Sequence, residues 1–107
     1  MTEAVAAWRR KAVDLLARRE YSRAELARKL AGREADIDRA ALDAVLDELA
    51  ASGWQSDARF AQMWIQAHAA RHGAQRLRQD LRQRGVAAAD IDAALAEHQT
   101  AEPEQDE

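Results

Sequence analysis

At 107 residues the chain has room for one compact domain or a short repeat array, not for two independent domains. Alanine supplies much of the 48% apolar share, aromatics are 5% and charged residues 33%, which describes an all-helical protein whose thin core rests on Trp8, Trp54, Trp64, Phe60 and the leucines. The net charge is only −3, no cysteine is present for a disulfide, thiolate metal site or nucleophile, and no apolar run approaches the roughly 20 residues of a membrane span.

The spacing predicts six helices and no strands. The first, about 4–19, sets Val5, Trp8, Ala12, Leu15 and Leu16 on one stripe at helical spacing. The second, about 23–31, follows Ser22, with Glu25 placed to complete a capping box, and buries Leu26 and Leu30. The third, about 39–52, starts after Asp38 and carries Leu42, Val45, Leu46 and Leu49. The fourth, about 57–71, starts after Ser56 or Asp57 and carries Phe60, Met63, Trp64 and Ala67. The fifth, about 74–84, buries Leu77 and Leu81, and the sixth, about 88–98, buries Ile91 and Leu95. Gly32, Gly53, Gly73 and Gly85 all fall at helix ends, where glycine adopts a left-handed conformation without strain. β-Branched residues are sparse and never alternate with polar ones.

The fifth helix matches the second at an offset of 51, pairing Leu26 with Leu77 and Leu30 with Leu81. The sixth matches the third at an offset of 49, where Leu42-Asp43-Ala44-Val45-Leu46 aligns with Ile91-Asp92-Ala93-Ala94-Leu95. Charge repeats in step. Residues 8–33 carry nine basic side chains against three acidic, and residues 34–57 one against seven. Residues 58–84 carry six against one, and residues 85–107 none against seven. An internal duplication of a three-helix unit accounts for pattern, punctuation and charge together. The expected architecture is two stacked repeats, 1–53 and 54–98, in an elongated, curved array. Residues 99–107, polar and acidic, are expected to form a disordered tail.

The fifth helix carries the main candidate site. With Leu77 at zero on a helical wheel, Leu81 lies near about 40°, Arg78 about 100° and Arg82 about 140°. Both arginines therefore project away from the leucine stripe, with Gln75 and Gln79 beside them and Arg71, Arg76 and Arg84 adding charge at the ends and the other flank. Forked guanidinium groups suit phosphates and carboxylates. A lesser basic block holds Arg18, Arg19, Arg23, Arg28 and Lys29, of which Arg19 lies near the apolar stripe and covers it with its stem. Charge runs are also, more often than not, plain solvated helix faces. Reversing Arg78 and Arg82 together is expected to weaken partner binding and leave melting unchanged.

Other chemistry is poorly supplied. His68 and His72 sit four apart but lack HExxH and a third ligand, so a polar helix end is expected there and no metal. There is no serine in a glycine elbow, no triad order and no phosphate-cradling loop, so neither an enzyme, a cofactor nor a small-molecule substrate is expected. Trp64, at helical spacing from Phe60, reads as core, and Tyr21 as a staple on the first helix. Met1-Thr2-Glu3-Ala4 lacks the features of a secretory signal, which leaves a cytoplasmic location as the expectation.

Three stretches carry a resemblance. Leu15-Leu16-Ala17-Arg18-Arg19-Glu20-Tyr21-Ser22-Arg23-Ala24-Glu25-Leu26-Ala27-Arg28-Lys29-Leu30 resembles the opening signature of the RecX family. Gly53-Trp54, with Asp57-Ala58-Arg59-Phe60-Ala61, is similar to the family's entry into its second repeat. Gln75-Arg76-Leu77-Arg78-Gln79-Asp80-Leu81, with Arg84-Gly85-Val86, resembles its basic helix and Gly-Val stop. The resemblance covers roughly residues 8–98. It implies tandem three-helix repeats, a non-enzymatic monomer, and binding to the RecA–DNA filament with reduced recombination, ATPase and co-protease activity, which places the chain in DNA repair and the SOS response. Weak direct contact with DNA is a further expectation. Family members usually carry three repeats, and two are recognisable here. Two readings compete with the filament regulator: a free-standing helix-turn-helix-like nucleic-acid binder, which the pI of about 5.6 and the acidic third helices disfavour, and a protein–protein adaptor using only the alanine-rich faces.

Overall fold

Alanine, leucine, arginine and glutamate, unbroken by internal glycine or proline, form helices wherever a cap and a stop bracket them. The structure, a computed structural model, describes residues 3–101, and these contain six helices and no strand. They are α1 (Glu3–Arg18), α2 (Arg23–Ala31), α3 (Arg39–Ala51), α4 (Asp57–His68), α5 (Ala74–Gln83) and α6 (Ala88–Ala101). Two compact units divide between Ser56 and Asp57, each a triplet of helices.

In the first unit each helix packs on the other two. Ala12, Tyr21, Leu26, Leu30, Leu42, Val45, Leu46 and Leu49 make its core, with Val5, Trp8, Leu15 and Leu16 partly buried against it. α2 starts on the expected capping box: the Ser22 hydroxyl accepts from Glu25 N at 3.1 Å, and the Glu25 carboxylate accepts from Ser22 N at 3.2 Å. Ser22 is wholly buried, so its loss strands a donor away from water. Ser22→Ala is expected to lower stability by about 1–2 kcal/mol, read as a lower urea midpoint at unchanged slope. Asp38 caps α3 by accepting from Ala41 N at 3.0 Å. Past α3, Gln55 is buried and donates from Nε2 to Tyr21 O at 3.3 Å.

In the second unit α4 and α6 share the largest interface, and α5 packs on both. Phe60, Ala61, Ile65, Leu77, Leu81, Val86, Ile91, Ala94 and Leu95 form its core. Residues paired by the repeat are buried alike: Leu26 with Leu77, Leu30 with Leu81, Leu42 with Ile91, Leu46 with Leu95. Ala12 and Ala61, also 49 apart, are both fully buried, a match that lies in the first helix of each unit.

Several expectations need correction. Gly32, Gly53 and Gly85 have positive φ, but Gly73 does not; with φ −78° it is the N-cap of α5, opening a helix rather than closing one. α4 stops at His68, short of 71, because His68 O accepts from both Arg71 N and His72 N at 3.0 Å in a tightened turn. The buried stripe of α4 is rotated: Ala61 and Ile65 are fully buried with Phe60, Met63 and Trp64 only partly, and Ala67 is exposed. Trp54 is 44% exposed and no core residue. Gly53 and Gly85 close the same Schellman turn, with Trp54 N bonded to Leu49 O at 2.9 Å and Val86 N to Leu81 O at 3.1 Å. Val86 tucks into its core, whereas Trp54 stays out. Finally, α6 runs through Ala101, so residues 99–101 are helical rather than tail, while residues 102–107 lie outside the described residues.

Candidate partner-docking surface

Seating of α5 by Leu77 and Leu81, 3% and 0% exposed, decides what the rest of the helix can do. The opposite side presents Gln75, Gln79 and Arg82, all exposed, and Arg78, half-buried. Arg82, Arg71, Gln75 and Gln79 engage no other side chain among the described residues. On α5 this leaves the Arg82 guanidinium and two neutral amides exposed and unengaged, with the Arg71 guanidinium before the start of the helix.

The other predicted arginines of this unit are already occupied. Arg78 Nη1 donates to Asp92 of α6. Arg76 Nε pairs with Asp80, one turn along, at 3.1 Å. Arg84 lies 3.9 Å over the Trp64 ring and donates from Nη1 to Asp80 O at 2.9 Å, so it fastens the end of α5 to α4. Trp64 also stacks on His68 at 4.0 Å between ring centroids, and His68 Nδ1 bonds Trp64 O at 2.8 Å. His72 continues the stack at 6.3 Å. The two histidines thus serve an aromatic column, and among the described residues no three His, Cys, Asp or Glu side chains are grouped to hold a metal ion.

In the first unit Arg18, Arg28 and Lys29 are exposed, and their side chains make no hydrogen bond or ion pair among the described residues. Arg28 and Lys29 line a shallow depression with Arg19, Tyr21 and Glu25. The Arg19 guanidinium covers the Tyr21 ring at 3.8 Å, which closes that ring to stacking by another group. Tyr21 is itself buried in the core that α1 helps to form, together with Ala12. Arg23 is not available in the same way: it pairs with Asp47 at 2.8 Å and reaches Asp43 O.

Sequence reasoning missed the acidic partners. The third helix of each unit supplies them: Asp47 pairs with Arg23, Glu48 with Arg9, and Asp92 with Arg78. The alternation of charge along the chain is complementarity between helices of one unit. The repeat did not signal them: Asp43, which aligns with Asp92, takes part only through its backbone oxygen, and the first unit uses Asp47 and Glu48 instead. Arg78 is also unsuitable for a clean charge reversal, because a glutamate there would face Asp92 and loosen α5 from α6. Melting of the Arg78 and Arg82 double reversal is therefore expected to fall rather than stay unchanged.

Comparison with known proteins places both units. Residues 9–49 match the RecX first three-helix domain, and residues 56–95 match the RecX second three-helix domain. A "Regulatory protein RecX" from Chromobacterium violaceum is 49% identical over 86 residues, covering 80% of this chain and 55% of that protein. One from Pseudomonas fluorescens is 43% identical over 96 residues, covering 89% and 61% respectively. A crystal structure of a regulatory protein RecX superposes with a TM-score of 0.77 at 24% identity, across 89% of this chain and 48% of that one, and shows the same fold. The chain spans between half and two-thirds of the length of the curated relatives it matches.

Proposed function

From the premise that the chain belongs to the RecX family, with that family's first and second three-helix domains in order, we propose that it is a non-enzymatic regulator that binds the RecA–DNA filament and inhibits recombination, ATPase and co-protease activity. The observation that carries this reading is the exposed face of α5, where Arg82 and Arg78 with Gln75 and Gln79 stand opposite the buried Leu77 and Leu81. A helix anchored by leucines presents its guanidinium groups at fixed spacing, which suits a regular array of phosphates or carboxylates. Arg71 extends the positive charge beyond the start of the helix, and Arg18, Arg28 and Lys29 supply a second positive surface on the first unit.

The mechanism is steric and electrostatic. Cationic faces seat the protein against the filament, and its bulk restricts the conformational cycle on which RecA turnover depends. The protein acts as a cytoplasmic monomer without a cofactor, and any binding to naked DNA is weak. Among the described residues no helix is long and apolar enough to cross a membrane.

Binding to duplex DNA alone, to RecA alone and to the assembled filament, each over a salt series, tests this. The expected result is binding to the filament well above either component, falling with salt by about 0.9 log units per bound phosphate per log of salt. Equal affinity for naked duplex would make the protein a free-standing DNA reader. Indifference to salt would make it an adaptor docking through apolar faces.

A further inference from the structure

We infer that Asp92 is a built-in counter-ion that competes with a partner's phosphates for Arg78 and so determines how selectively the α5 face binds. This rests on the proposed docking role of α5. Arg78 Nη1 donates to Asp92 Oδ1 across the α5–α6 interface, and the two side chains are 42% and 60% exposed. An ion pair so open to water is weak and exchanges readily. One turn along, Arg82 makes no such pair among the described residues. A nucleic-acid phosphodiester arriving at this face therefore meets one guanidinium that is free and one that is taken.

To engage Arg78 the phosphate must displace the Asp92 carboxylate, and the displaced carboxylate stays within a few ångströms of the new anion. Its repulsion persists after the exchange. A partner offering only phosphates gains little from Arg78, whereas a partner that also touches the rest of the protein can offset the cost. Asp92 thus lowers affinity for bare nucleic acid more than for the cognate assembly. The same device recurs in the first unit, where Asp47 holds Arg23 and Glu48 holds Arg9. In both units the acidic third helix supplies the anions, which gives the repeated charge alternation a role in selectivity.

Asp92→Asn removes the charge and keeps the shape, and short duplex DNA is the probe. The expected outcome is a rise in duplex affinity of about three- to tenfold at low salt that fades at high salt. The salt slope steepens by about 0.9 as Arg78 binds a phosphate in full. Filament affinity rises less, so the filament-to-duplex ratio falls. Adding Arg78→Gln to Asp92→Asn should abolish the gain, a result that a change in folding alone would not produce, and thermal melting of each variant is followed alongside. Arg82→Glu, measured in parallel, separates the two levels of failure. If Arg82→Glu weakens binding while Asp92→Asn leaves duplex affinity and slope unchanged, or lowers them, the counter-ion role is overturned and the docking face stands. If Arg82→Glu has no effect, the docking face falls and the counter-ion role with it.

Discussion

Phe60→Ala is expected to destabilise the second unit by about 3–5 kcal/mol, the usual cost of truncating a buried phenylalanine. Phe60 is fully buried in a core that also contains Ile65, Leu77, Leu81, Ile91 and Leu95. Two of its fellow core positions, Ala61 and Ala94, are alanines that cannot expand into a vacated space, so the cavity should collapse poorly. The ring also stands 6.0 Å from the Trp64 ring, at 30°, and its removal loosens the column of Trp64, His68 and His72. Chemical denaturation followed by hydrogen exchange in α4, α5 and α6 reads the effect. A change below about 1 kcal/mol would mean that the core closes over the gap and that its density is not what holds the triplet together.

The second large effect is on binding. Arg71→Glu with Arg82→Glu is expected to reduce filament affinity at least tenfold and to flatten the salt dependence by about 0.9 log units for each phosphate no longer bound. Both side chains are exposed and engage nothing else among the described residues, so the change should leave melting within a degree or two. That separates the pair from Arg78, Arg76 and Arg84, whose side chains are already engaged by Asp92, Asp80 or Trp64. Filament pull-down or anisotropy at two salt concentrations gives the answer. Undiminished affinity in a folded double variant would remove α5 as the docking face.

Legibility of the fold came from local chemistry. Ser22 with Glu25 announced a capping box, Asp38 a second cap, and Gly53 and Gly85 the stops after α3 and α5, and each is present. The leucine stripes of α2 and α5 needed only the 3.6-residue period to be read, and both are buried. Gly73 was misread because a glycine between two helices can close one or open the next, and the φ that distinguishes them is not written in residue type. The stripe of α4 was misplaced for a related reason. Alanine is neutral between core and surface, so Ala61 and Ala67 could not be told apart until the packing against α6 selected one.

The candidate site divided along the same line. That arginines stand opposite the leucines of α5 is a consequence of helical geometry and was determined by the amino-acid sequence alone, as were the number and order of the helices, the Ser22 and Asp38 caps and the two-unit repeat. Which arginines remain available was decided only in three dimensions. Arg78 meets Asp92 from 14 residues away, Arg9 meets Glu48 from 39 away, and Arg84, the C-cap of α5, covers Trp64 of α4. Caps, stops and periodicity act within one turn of backbone and leave a mark in the order of residues. Pairing between charges depends on how helices cross and how far side chains reach, and it comes into being only once the apolar stripes have packed.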